Sequence, residues 1–244
     1  MNDDEPIAKK IVVRKNGPYR VYGDIPFVHK TQVVSEYGEP LTWRTDGPIA
    51  TEPGLYFLCR CGESKKFPFC DGTHKTIGFD GSEPEKPGDL PEYRFTYRGG
   101  TRLQVRKNPR LCSNAGFCGM VNASLPELVA QSGNTQVRSL VMAMVERCPS
   151  GSLTYSIEPG EAEIEPDLPL QIAATTEITS QGPIVGPLWV MGGARIERPD
   201  GTPFVTRNRV TLCNCGHSQN KPFCDGAHRD LPQRQARLRG APET

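Results

Sequence analysis

The feature that most constrains this chain is an internal repeat. Residues 59–74 read CRCGESKKFPFCDGTH and residues 213–228 read CNCGHSQNKPFCDGAH, identical at ten of sixteen positions without a gap. The likeness extends upstream, where Gly17-Pro18 with Val21 and Gly23 resembles Gly186-Pro187 with Val190 and Gly192. The first copy has about fifteen more residues before its cysteines, which repeat logic assigns to a loop insertion. One small unit is therefore duplicated around an unrelated middle segment. Short runs rich in β-branched and aromatic residues precede the cysteines: Ile11–Val13, Tyr19–Tyr22 and Leu55–Leu58 in the first copy, Ile172–Ile178, Leu188–Val190 and Val210–Leu212 in the second. They predict short strands. With 25 Gly and 23 Pro in 244 residues, turns are too dense for a helical bundle or a doubly wound α/β fold.

Each copy has the spacing C-x-C-x8-C-D-G-x-H. Cys59 and Cys61 lie two apart, so in an extended segment both thiols face one side. Cys70 and His74 lie four apart and share a face of a helical turn. The two pairs can converge on one inorganic centre. Asp71 is placed as a cap or turn former, Gly72 permits close backbone approach, and Pro68 and Phe69 shield the approach. Cys213, Cys215, Cys224 and His228 repeat the arrangement. Three thiolates and an imidazole suit a structural zinc ion as well as an iron–sulfur cluster. His217, where the first copy has Glu63, reads as a surface residue, and the isolated His29 as structural.

The middle segment, 91–158, differs. Tyr93–Tyr97 and Arg102–Val105 flank Gly99-Gly100 and predict a hairpin. Thr135–Arg147 carries Val137, Leu140, Val141, Met144 and Val145 at helical spacing and ends at Cys148-Pro149, where proline forbids continuation. A strand is expected at Leu153–Ile157. Cys112 and Cys118 form C-x5-C, and with Cys148 they complete a third cysteine group. The stretches 80–90 and 158–169 read as linkers. The residues after Asp230, with Arg234, Arg237 and Arg239, read as a mobile basic tail, 231–244.

The repeated motif resembles the signature of the CDGSH iron–sulfur family, the NEET proteins, at every defining position in both copies. The resemblance implies 2Fe–2S clusters with Cys3His ligation. Cys59 and Cys61 would hold one iron and Cys70 and His74 the other; Cys213 and Cys215, then Cys224 and His228, would do the same in the second copy. The middle segment resembles a divergent single-cluster ferredoxin module. Position 115, where a bacterial ferredoxin has its second cysteine, is Ala. Cys112, Cys118 and Cys148 would then hold a 3Fe–4S or 4Fe–4S cluster. The implied fold is α+β and β-rich. Two small NEET-like β domains, 1–80 and 170–230, pair pseudo-symmetrically as NEET dimers do. A ferredoxin-like α+β module, 91–158, forms an appended lobe.

Nine cysteines are an odd number for a disulfide framework, and the acidic start Met1–Glu5 lacks an apolar stretch, so a reducing, cytoplasmic setting is expected. No apolar run is long enough for a membrane span. A net charge of +1 gives no broad basic field for nucleic acid. No phosphate loop or nucleophile elbow is present, and Ser64 and Ser218 lack a basic partner in sequence, so no catalytic constellation is expected. The functions left are electron transfer to a redox partner protein, cluster storage and delivery to an apo-acceptor protein, a zinc-stabilised interaction module, or a redox subunit of a larger oxidoreductase whose catalytic chain is elsewhere. A monomer with its two repeats paired internally is the expected assembly.

Overall fold

The computed structural model describes residues 8–85, 88, 91–120, 122–232 and 234. Strands β1 (Lys10–Val13), β2 (Tyr19–Tyr22), β3 (Phe27–Val34), β4 (Pro40–Pro48) and β5 (Leu55–Leu58) belong to the first copy. The middle segment forms β6 (Phe95–Gly99), β7 (Thr101–Lys107), β8 (Gly119–Met120), β9 (Ala123–Ser124), α1 (Leu125–Ala130), α2 (Thr135–Arg147) and β10 (Leu153–Ser156). The second copy supplies β11 (Gln171–Thr179), β12 (Gly182–Met191), β13 (Arg195–Glu197) and β14 (Arg209–Leu212).

The two copies exchange strands. One sheet runs β13-β1-β2-β5, the other β14-β12-β11-β3-β4. The meander β1-β2-β5 of the first copy corresponds to β11-β12-β14 of the second. Each meander takes a parallel strand from the other copy: Ile11 pairs with Ile196, and Ala173 with Val28. Parallel strands cannot be joined by a tight turn, so these pairings require sequence-distant partners. One apolar core results, in which Ile11, Tyr19, Val21, Phe27 and Leu58 pack with Ile172, Leu188, Val190, Phe204 and Leu212. The expected β-rich, pseudo-symmetric pairing is present, but the copies share a core rather than owning one each. The extra residues of the first copy are not a loop: they lengthen β3 relative to its counterpart β13 and add β4, which extends the second copy's sheet.

The middle segment has its own three-stranded sheet, β10-β7-β6, covered by both helices. Val141, Met144 and Val145 of α2 pack on Leu103, Val105 and Leu153. Asn134 caps α2, accepting from the N–H groups of Gln136 and Val137. The module is more than an appended lobe. Arg209 of β14 is completely buried and donates to the carbonyls of Cys148 (2.6 Å), Val145 (2.9 Å) and Leu153 (3.1 Å) and to Glu165 (2.6 Å). Phe117, between two of the middle cysteines, packs at a tilt against Trp43 of β4.

Arg234, at the start of the expected mobile tail, is also buried. It donates to Val185 O (3.0 Å), Gly186 O (3.0 Å) and Asn214 Oδ1 (2.6 Å), and lies over the Phe67 ring. Residues 235–244, including Arg237 and Arg239, lie outside the described residues, as does Met1–Glu5. No helix among the described residues is long and apolar enough to cross a membrane.

Candidate metal centres

Each repeat folds into the same clip, built by the non-cysteine residues of the motif. Ser64 Oγ donates to Phe69 O (2.6 Å) while accepting from Lys66 N, and Ser218 Oγ does the same with Phe223 O (2.7 Å) and Asn220 N. Asp71 accepts from the N–H groups of Lys65 (2.8 Å) and Thr73 (3.0 Å). Asp225 accepts from those of Gln219 (2.7 Å) and Ala227 (3.1 Å). These serines and aspartates hold turns closed, so Ser64 and Ser218 are structural. Backbone bonds from Cys59 N to Pro68 O and Cys70 N to Phe57 O tie the two cysteine arms together. Cys213 N to Pro222 O and Cys224 N to Thr211 O repeat them. Gly72 and Gly226 both sit at φ 92°, starting the short 3₁₀ turns that carry His74 and His228.

The donors stand in pairs. Cys59 and Cys61 sulfurs are 3.8 Å apart, and Cys213 and Cys215 sulfurs 3.6 Å. Cys70 Sγ lies 3.3 Å from His74 Nδ1, and Cys224 Sγ 3.4 Å from His228 Nδ1. Two sulfurs bound tetrahedrally at about 2.3 Å would lie roughly 3.8 Å apart, and a sulfur and an imidazole nitrogen slightly closer. Every pair therefore fits one tetrahedral metal. Among the described residues, no three of these donor types are arranged around a single ion. The donor set fits a two-metal centre at each repeat.

The electrostatics favour anionic sulfur at one member of each thiol pair. Cys59 is lowered to about 6 by the Cys61 thiol and by the N–H groups of Ser64, Gly62 and Cys61, against the opposing effect of burial. Cys213 is lowered by the Cys215 thiol, against burial, and by the N–H groups of Ser218, Cys215 and Gly216. Cys70 and Cys224 are raised by burial.

The two centres sit back to back but differ in exposure. A side-chain carbon on Gly62 would lie 2.5 Å from Cys215 O, and one on Gly216 would lie 2.5 Å from Cys61 O. Tyr19 of the first copy donates to Cys213 O (2.7 Å) and Pro222 O (3.0 Å) of the second. His74 and Cys70 line an open pocket of about 480 Å³ together with Arg14, Lys15, Arg20 and Lys75. His228 is 1% exposed, with Glu177 against its outer nitrogen.

The middle cysteines are near enough to feel one another's charge, although among the described residues they form no three-donor group around a single ion. Cys112 follows the turn Pro109–Leu111, Cys118 precedes β8, and Cys148 caps α2. Burial raises the Cys112 and Cys118 thiols, and each also feels the charge of Cys148. Ala115 is buried, and its carbonyl accepts from Gln32. Asn114, at φ 59°, accepts from Cys112 Sγ at 3.4 Å. Its amide also fills the space beside Gly226, where a side-chain carbon would come within 2.3 Å of it. This middle loop thus touches the second repeat's own C-D-G-x-H turn.

His217 is exposed, and His29 bonds Thr176 and Asp46, as their sequence positions suggest. Sequence reasoning missed Glu177, Arg209 and Arg234. Glu177 had a visible signal, a lone acid in the apolar run IAATTEI. The two arginines had none, because their partners are distant in sequence.

Comparison with known families agrees with this architecture. Residues 16–75 and 185–229 match the model described as an iron-binding zinc finger of CDGSH type. Residues 97–158 match the model of a divergent 4Fe–4S mono-cluster. No curated protein matches the chain.

Proposed function

From a chain that carries two CDGSH-type iron-binding segments around a divergent 4Fe–4S mono-cluster segment, and is thereby an iron–sulfur protein, we propose a multi-centre electron carrier. Cys59, Cys61, Cys70 and His74 would hold one 2Fe–2S cluster, and Cys213, Cys215, Cys224 and His228 a second. Cys112, Cys118 and Cys148 would hold the middle cluster, 3Fe–4S if only these thiolates ligate and 4Fe–4S if a further donor completes it. When bound, such clusters supply one-electron redox chemistry.

The observation that carries this reading is the contiguity of the three donor sets. The Gly62 and Gly216 turns abut each other's cysteine carbonyls, and Asn114 bridges Cys112 to the Gly226 turn. The order is middle, second, first. At the end of the series, His74 and Cys70 meet solvent in a pocket walled by Arg14, Lys15, Arg20 and Lys75. Cationic walls attract an anionic partner surface and speed its encounter. The buried Cys213 and Cys224 arms and the apolar core beneath them exclude water from the interior.

The test is stepwise anaerobic reduction of the full chain followed by EPR. The expected signals broaden or split as a second centre becomes paramagnetic, because neighbouring spins interact. Independent, unsplit signals at every stage argue against electron exchange within the chain.

A second reading, cluster delivery, is favoured by one observation: His74 lies on an open pocket wall while His228 is sealed. Delivery would then proceed from the first centre alone. Incubation with an apo-ferredoxin tests it; no iron leaving the Cys59–His74 site removes this reading.

A further inference from the structure

The two repeats also differ in the hairpin that precedes their Gly-Pro. In the first copy, β1 and β2 are joined directly after Val13 pairs with Tyr19, and the connection carries Arg14 and Lys15. In the second, the corresponding pair is Ala174 with Leu188. Beyond it the strands bulge and run on to Thr179 and Gly182. This extension brings Glu177 over the second centre.

Glu177 is an unusual group for its place. Its side chain is fully buried, and one carboxylate oxygen, Oε1, has no hydrogen-bond partner among the described residues. The other, Oε2, lies 3.2 Å from His228 Nε2 and accepts a hydrogen bond from Arg229 Nη1. Burying a carboxylate is costly unless it is paired and put to use. A carboxylate can only accept from the ring, so His228 carries its proton on Nε2. Nδ1 is then left with its lone pair free on the side of Cys224 Sγ, 3.4 Å away. A carboxylate in this position fixes ring orientation and makes the imidazole a stronger donor. No carboxylate lines the pocket that His74 faces among the described residues; Arg14, Lys15, Arg20 and Lys75 do.

We propose that Glu177 is a positioning residue for the second centre, holding His228 as a fixed Nδ1 donor and making this the lower-potential, more tightly held of the two CDGSH-type centres. The physical reasons are two. A more basic ligand stabilises the oxidised metal, and the Glu177 carboxylate, partly offset by Arg229, opposes the arrival of an electron at the ring it touches. The second centre is thereby distinguished from the first by a residue outside the motif. The inference rests on the reading of Cys213, Cys215, Cys224 and His228 as a 2Fe–2S site.

The experiment uses the full chain, purified anaerobically, as wild type, Glu177→Gln and Glu177→Ala. Potentials are read by redox titration with EPR, and cluster retention by the decay of visible absorbance in a chelator. In the wild type, two 2Fe–2S signals titrate at separate potentials. Glu177→Gln, nearly isosteric but uncharged, raises the lower potential and leaves the upper one in place. Glu177→Ala speeds iron loss from the second centre by about 10–100-fold, the usual cost of removing such a partner. Should the Gln variant fail to accumulate, Glu177→Asp takes its place and shifts the same potential in the same direction by less. Unchanged potentials and unchanged retention overturn the role of Glu177 while leaving the cluster assignment standing. A wild-type protein with no second 2Fe–2S signal overturns both.

Discussion

Arg234→Ala tests whether the two repeats are completed by a residue outside either motif. In the first copy, Arg60 donates to Arg14 O (2.7 Å), Gly17 O (3.2 Å) and Gly81 O (3.0 Å), locking the Gly-Pro segment onto the cysteine arm. The second copy has Asn214 at that position. Its amide reaches Gly186 O at 3.0 Å but is too short to span further. Arg234 enters from beyond the repeat and supplies the missing guanidinium to Val185 O, Gly186 O and Asn214 Oδ1. Truncation removes a long contact to Asn214 O (3.4 Å) and three shorter bonds from a charged donor, the shorter ones each worth about 1.5–3 kcal/mol. Gly186 O keeps its bond to Asn214, so two of the shorter bonds go uncompensated, and the expected cost is about 3–6 kcal/mol. For a chain of this size, that lowers the thermal midpoint by roughly 6–24 °C. Thermal unfolding followed by circular dichroism measures it, with visible absorbance reporting the second centre. Asn214→Arg in the Arg234→Ala background rebuilds the first copy's solution and should recover part of the loss. A midpoint within about 2 °C of wild type would refute the reasoning.

Other perturbations have equally definite outcomes. Gly62→Ala or Gly216→Ala drives a methyl to 2.5 Å from the opposite copy's cysteine carbonyl at φ 84°. Each should cost at least about 1–3 kcal/mol of backbone strain alone and reduce iron at both repeats, read by thermal unfolding and metal analysis. Arg209→Met empties the buried guanidinium site under Cys148, Val145 and Leu153 and should disrupt the middle centre first. Its EPR signal should fall while those of the repeats persist. His74→Cys replaces a neutral donor with an anionic one and should lower the potential of the first centre alone in a redox titration.

The elements legible in the sequence are those governed by local pattern. The runs at Tyr19–Tyr22 and Leu55–Leu58 and the helix Thr135–Arg147 appear with those bounds, because alternation, helical spacing and the Pro149 stop are written in neighbouring residues. The donor pairs were legible for the same reason: two-residue and four-residue offsets set geometry locally. What was not legible depends on long-range pairing. Phe27–Val34 has little apolar alternation, with HKTQ at its centre, and becomes a strand because β11 offers it a parallel edge. The short helix Leu125–Ala130 is fixed by Ser124 and Glu127 at its start and by packing against α2 and β6. Arg209 and Arg234 read as ordinary surface cations until the fold closes around them.

The central claim is that eleven side chains, nine sulfurs and two imidazoles, form three cradles for iron sulfide. Metal and acid-labile sulfide analysis of anaerobically purified protein, with its visible spectrum, tests this most directly. A coloured protein with about seven or eight iron atoms per chain, matched by inorganic sulfide and bleached by dithionite, is the expected result. A colourless protein holding zinc, without sulfide and unchanged by reductant, would contradict it.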